Sequence, residues 1–469
     1  MRRERDFLGV KEVPEDAYYG VQTMRAVENF PITGHPVSAA FIRALAYVKK
    51  ASALANVDAG FLDQEIGEAI ARAADEVIEG KLHDQFIVDA IQGGAGTSTN
   101  MNTNEVLANR ALEILGYEKG RYDVISPNSH VNMSQSTNDV FPTAMHVSIL
   151  MEAPALLRAL DRLEATFRAK GEAFAPYIKM GRTHLQDAVP IRLGQEFQAY
   201  ANVVQRGRRR IAESLEDLHE INLGATAVGT GLNADPHYIE QAAHYLSAYT
   251  GIPFQTAAHL VDATQNTEVY MHVSSALKGT MMSLSKVAND LRLMASGPRA
   301  GLHEITLPPR QPGSSIMPGK VNPVMPEVVN QVAFQVAGND VTITMASEAG
   351  QFELNVMEPV LIYNLLQSIH MMTKVVHVFD DYCVTGIEAN VEQMEDYVHR
   401  SIGIITAISP HVGYEKASLI AKEALETNEP IRDLCIAHDV LTEEELDTIL
   451  HPEEMTAPGI SGAHLLRKK

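Results

Sequence analysis

The segment GSSIMPGKVNPVMPE, Gly313 to Glu327, places two adjacent serines, a lysine and an asparagine between glycines and prolines. Proline lacks an amide donor and fixes φ, so such a stretch is too broken for a core helix or strand. Its side chains are instead of the kind that hold a small carboxylate. Three further polar clusters lie elsewhere: Gly96-Thr97-Ser98, Ser134-Gln135-Ser136-Thr137-Asn138-Asp139 and Gly181-Arg182-Thr183-His184. Each has a plain alternative. Thr97 and Ser98 could cap a helix, and Ser136 to Asp139 could form a capped turn. His184 could be a satisfied interior histidine and Lys320 a solvated charge. Together they supply neutral donors, one histidine, one lysine and a small base, a set better suited to a dicarboxylate than to a sugar or a nucleotide.

Other chemistries fit poorly. A phosphate loop needs four residues between its glycines and then Lys followed by Ser or Thr. Here five residues separate Gly313 from Gly319, and Val321 follows Lys320. Gly93-Gly94-Ala95-Gly96 follows no clear hydrophobic strand, so it is no dinucleotide fingerprint. Neither an HExxH pattern nor a GxSxG elbow occurs among the residues. The expectation is therefore catalysis without metal or cofactor.

The elements that must position these clusters are mostly helical. Alternating apolar residues from Phe7 to Pro14 suggest a small hairpin arm. Residues 38–80 read as two helices, the second starting near Asp63. Gln92 to Gly116 reads as a turn entering a helix, whose N-terminus offers free amides and a favourable dipole to an anion. Long apolar stripes then follow. Val269, Val273, Leu277, Leu284, Val287, Leu291 and Met294 share one face, as do Leu365, Ile369, Met372, Val376, Phe379 and Cys383. Residues 141–174 and 186–222 read as comparable helices. Gly297 to Pro326 interrupts them with seven of the chain's 22 prolines, and a long irregular segment of this kind tends to be functional. Beyond it, Thr442 to Glu445 reads as a capping box with Leu441 as a staple. The expected fold is mainly α: an N-terminal, mostly helical domain over 1–139, a long-helix bundle over 140–395 and a small helical domain over 396–469. Long apolar-faced helices imply burial against something, including other subunits.

Composition narrows the class. Lys and Arg number 38 against 59 Asp and Glu, a net charge of −21, which argues against a nucleic-acid partner. An anionic substrate must then be held by local donors against the global field. The basic run Arg206-Gly207-Arg208-Arg209-Arg210 reads as a solvated or subunit-contacting helix face. No stretch approaches the ~18 uninterrupted apolar residues of a membrane span, and the charged start MRRERDFLGV lacks a signal-peptide core. Two cysteines, Cys383 and Cys435, exclude a disulfide framework. A cytoplasmic protein without membrane or nucleic-acid partners is expected.

GSSIMPGKVNP resembles the signature loop of the aspartase/fumarase superfamily of lyases. GGAGTSTNMNTNE, SQSTND and GRTHLQDAVP are similar to its other site-forming regions, in order along nearly the whole chain. DAYYGVQTMRAVENFPIT, PNSHVNMSQSTND and GKVNPVMPE are most similar to the ammonia-lyase branch. The hydratase branch typically shows Lys at the place of Met133, serine at Thr137 and Thr-Gln after the VNP. The resemblance implies a mostly helical protomer, a homotetramer with a shared helical core, and active sites built from three chains. It implies reversible anti elimination of ammonia from L-aspartate to give fumarate, by way of an enediolate-like intermediate. By motif position it makes Ser314 the general base and gives the β-carboxylate to Thr97, Ser136, Thr137 and Ser315. The α-carboxylate falls to Lys320 and Asn322, with Asn138, Thr183 and His184 near the amino group or its neighbouring carboxylate. The nearest alternative is a class II fumarate hydratase on the same fold. A catalytically idle relative kept as a binding protein is the alternative of another class.

Overall fold

The structure, a computed structural model, describes residues 1–466. The chain opens with an antiparallel hairpin, β1 (Arg2–Asp6) and β2 (Gly9–Val13), of which only the turn and the second strand fall in the stretch 7–14 read as an arm. α1 (Val21–Asn29), α2 (Ala39–Asp58) and α3 (Gln64–Ile78) follow. Asp63 caps α3 by accepting the amides of Glu65 and Ile66, which fixes its start where the sequence placed it. α4 (Thr97–Ile114) and the long α5 (Thr137–Ala173) come next. α5 is long and apolar enough to cross a membrane by composition, yet 67% of its most apolar window is buried inside the protein, as befits a core helix.

One expectation needs correction. Residues 186–222 do not form one helix. β3 (Ile178–Thr183) and β4 (Gln186–Arg192) make a hairpin, and α6 begins only at Leu193 and ends at Ser214. Val189, Leu193, Phe197, Tyr200 and Val204 keep helical spacing, so the stripe extends one turn too far in the sequence. Pro190, without an amide donor, prevents that turn, and pairing of residues 186–192 with β3 replaces it. α7 (Pro236–Thr250), α8 (Leu260–Gln265), α9 (Glu268–Met294), α10 (Val324–Glu348) and α11 (Glu358–Tyr382) complete the larger elements. Short helices occupy the C-terminal stretch, where Thr442 and Glu445 form the expected capping box.

By compactness the chain divides into two units. The first holds residues 1–158, 207–282 and 332–374; the second holds 159–206, 283–331 and 375–469. In the first, Ser274 of α9 donates to Asp340 of α10 at 2.8 Å. Asn339 of α10 reaches Ser368 of α11 at 3.0 Å. These polar ties fix helix register within an otherwise apolar core that includes Val140, Tyr270, Val336 and Leu365. In the second, Phe167, Phe197, Tyr200 and Phe379 pack edge-on around one another. Asn330 of α10 bonds Ser285 and Asn289 of α9 at 2.8 and 3.0 Å. The C-terminal helices close over Ile404, Ile408, Leu434 and Leu446, and Met180 of β3 packs into that cluster, anchoring the hairpin's base.

Candidate active site

Thr97, Ser136, Thr137 and Asn138 all belong to the first unit, and the structure brings the two clusters together at two helix N-termini. Gly96 caps α4 with φ +89°, and a Cβ there would meet the Phe141 ring at 2.2 Å, so only glycine lets the turn approach α5. Thr97 is exposed and its hydroxyl donates to Gly94 O at 2.8 Å, which makes it part of the turn as well as a free-facing group. One turn on, Asn100 Nδ2 donates to Thr137 Oγ1 at 3.1 Å, tying the start of α4 to the start of α5. Ser136 Oγ accepts the Asn138 amide at 3.2 Å, a local cap. Asn138 Nδ2 donates to Ala227 O at 2.7 Å.

Behind these groups lies a buried polar network that the motifs did not reveal. Asp139, fully buried, accepts the amides of Ser136, Gly224 and Thr226, each at 3.0 Å. Burial pushes its carboxyl up to about 6, against the pull of those amides and of Lys49. Lys49 is fully buried in α2 and donates to Asn132 Oδ1 at 3.1 Å and Gln135 Oε1 at 2.9 Å. Asn132 Oδ1 also accepts from Asn100 and Asn104, at 3.1 and 3.0 Å. The buried ammonium is thus connected through Asn132 and Asn100 to Thr137. The sequence carried one signal for this: Lys49 falls on the stripe of Leu45 and Ser52, the face α2 buries.

Desolvation lowers Lys49 from 10.5 to about 7, while Asp139 draws it back up. Between those two values the unfolded chain keeps a proton that the folded chain releases, so folding stability rises with pH across this window. Below pH 7 the penalty for charging Lys49 is fully present. Urea denaturation should therefore show the native protein gaining stability over a Lys49→Gln variant as pH rises from 7 toward 10.5. A difference flat across that range would rule out the release of this proton on folding.

Thr183, His184, Ser314, Ser315, Lys320 and Asn322 belong to the second unit. Thr183 ends β3 and pairs with Gln186, leaving His184 and Leu185 as a two-residue turn with φ of +55° and +60°. Both central residues are left-handed, as a type I′ hairpin requires, although neither is the favoured Asn or Gly. His184 is exposed on this chain. Buried Glu304 holds the strand beneath: it pairs with Arg182 at 2.7 Å and Lys179 at 3.0 Å, and Lys179 also reaches Glu196 at 3.1 Å. Ser401 bonds Asp187 of β4 at 2.8 Å.

The serine loop closes on itself. Gly313 N donates to Lys320 O and Asn322 Nδ2 to Gly313 O, each at 2.7 Å. A Cβ on Gly313 would lie 2.8 Å from both Asn322 N and Lys320 O, so the closure requires glycine. Inside it, Ser314 Oγ accepts the amides of Ile316 and Met317 at 3.2 and 3.0 Å. Two donors already aimed at this oxygen favour negative charge on it. Asn322, expected to hold a carboxylate, spends one amide hydrogen on loop closure. Ser315 and Lys320 are exposed. Among the described residues no hydrogen bond joins this loop to the His184 turn. The ten residues thus form three local groups: the paired helix starts, the hairpin tip and the serine loop.

A family model described as Lyase matches residues 9–338, and one described as Fumarase C C-terminus matches residues 404–457. The chain is 65% identical to an aspartate ammonia-lyase of Bacillus sp over 98% of this chain and 99% of that protein. It is 63% identical to an aspartate ammonia-lyase of Bacillus subtilis (strain 168), over 100% of this chain and 98% of the relative. Among solved structures, a fumarate lyase:delta crystallin from Brucella melitensis bound to cobalt superposes with a TM-score of 0.95 at 50% identity, covering 97% of this chain and 100% of that one. A recombinant class II fumarase from Schistosoma mansoni matches with a TM-score of 0.94 at 36% identity, over 97% of this chain and 99% of that one.

Proposed function

The chain belongs to the aspartase/fumarase superfamily of lyases, and on that premise we propose that it catalyses the reversible deamination of L-aspartate to fumarate and ammonia. The observation that carries the choice of substrate is its end-to-end likeness to the two Bacillus ammonia-lyases. In this reading Ser314 Oγ, as the alkoxide, takes the proton from Cβ. The electron pair moves onto the β-carboxylate as an enediolate-like dianion. Its return forms the Cα–Cβ double bond as the C–N bond of the α-ammonium breaks with its electron pair on nitrogen, releasing NH3. Ser314 then gives its proton to solvent. Thr97, Ser136, Thr137 and Ser315 hold the β-carboxylate where that charge grows. One donor so placed is typically worth ~3 kcal/mol. Lys320 and Asn322 hold the α-carboxylate, and Asn138, Thr183 and His184 lie about the amino group or that carboxylate.

The Ile316 and Met317 amides on Ser314 Oγ support the alkoxide, since a carbon acid so weak needs a strong base. The resemblance to the superfamily supports assembly of each site from three chains of a homotetramer. So does the apolar stripe of α10, where Phe334, Val341 and Met345 stand 63%, 58% and 68% exposed and want a covering surface. The reading includes a cytoplasmic location.

The paired assay decides between this reading and the hydratase. Absorbance of fumarate is followed with aspartate and, separately, with malate. Fumarate should form from aspartate and disappear when ammonia is supplied; formation from malate at the greater rate overturns the assignment. Inactivity on both would revive the idle relative.

A further inference from the structure

A cavity of about 440 Å³ in the first unit has a mouth of exposed carboxylates: Glu216, Asp217, Glu220, Asp262 and Glu268. Among the described residues no lysine or arginine lines it. At its floor is Glu358, the first residue of α11, which is 1% exposed and whose Oε2 has no hydrogen-bond partner. Burial raises this carboxyl well above the usual range, with no donor to offset it. Burial without a partner favours the protonated acid, and a cation entering the cavity supplies the partner that lets Glu358 ionise with release of its proton.

We propose that this cavity binds an aliphatic diammonium ion, with one ammonium against Glu358 and the other among the carboxylates of the mouth. The distribution of charge selects the class. Among the described residues no three Asp, Glu, His or Cys groups converge as metal ligands, whereas a divalent ion requires several oxygens drawn tightly about one point. Carboxylates spread around a cavity far larger than one ion suit two positive charges held apart. Pro142, Ala257, Ala263 and Val269 also line the cavity and offer apolar surface for the methylenes that join the two ammonium groups. The inference does not rest on the lyase reading, and its test needs no turnover.

Isothermal titration of the full-length protein at constant ionic strength, with 1,4-diaminobutane, methylamine and magnesium chloride as probes, provides the test. Saturable binding of the diamine is expected, at least about tenfold tighter than methylamine or magnesium. Glu358→Gln should weaken it at least about tenfold, the loss of one charge-assisted contact. Should that variant not fold, the exposed pair Glu216→Gln with Glu268→Gln carries the same test with a smaller expected loss. Absence of saturable diamine binding, magnesium bound as tightly, or affinity unchanged in the folded variants overturns the proposal.

Discussion

Ser314→Ala should lower turnover of aspartate by about a hundred- to ten-thousandfold, the usual range for loss of a general base. The effect should fall on kcat, with substrate affinity nearly kept, because the carboxylate-holding groups are other residues. The substitution removes an exposed-loop hydroxyl whose partners are two loop amides, both of which can turn to water, so little stability depends on it. Deuterium at Cβ gives a sharper reading. If Ser314 takes that proton, exchange of the Cβ hydrogen with solvent should slow together with elimination. Near-normal turnover of the variant, or exchange surviving intact, would sink the assignment of Ser314 as base.

The second large effect is expected at Asp139. Its carboxylate satisfies three amides, the buried ones of Gly224 and Thr226 and the part-buried one of Ser136. Thr226 is held at φ +57°, a backbone conformation unfavourable for a β-branched residue, so the loop from 224 to 226 depends on this support. Asp139→Ala should cost about 3–5 kcal/mol locally, the range for breaking a buried charged partnership. Hydrogen exchange at the Gly224 and Thr226 amides should then accelerate at least about a hundredfold. Asp139→Asn, which keeps one accepting oxygen, should lose less. Michaelis constants should rise as well, since Ser136, Thr137 and Asn138 lose their fixed turn. Unchanged exchange at both amides in the Ala variant would show that Asp139 does not hold this loop.

Local signals in the sequence proved readable where one short stretch decides the outcome. Asp63 and Thr442 marked helix starts because a cap is made by a side chain and the amides two or three residues on. The stripe from Val269 to Met294 marked α9 because burial of one face imposes its period. The stretch 186–222 misled because the same apolar spacing is compatible with a strand followed by a helix, and only the partner strand β3 chooses between them.

By itself the sequence determined the helical class, a few capped helix starts and the four polar clusters with their resemblance to a lyase superfamily, since each is written in neighbouring residues. The tertiary structure alone decided what stands behind those clusters. Lys49 meets Asn132 and Gln135 across more than eighty positions, and Asp139 meets Gly224 and Thr226 at a similar remove. Glu304 reaches back to Lys179 and Arg182 under the His184 turn. Buried polar groups must find partners wherever the fold delivers them, so their pairing follows from packing rather than from spacing along the chain.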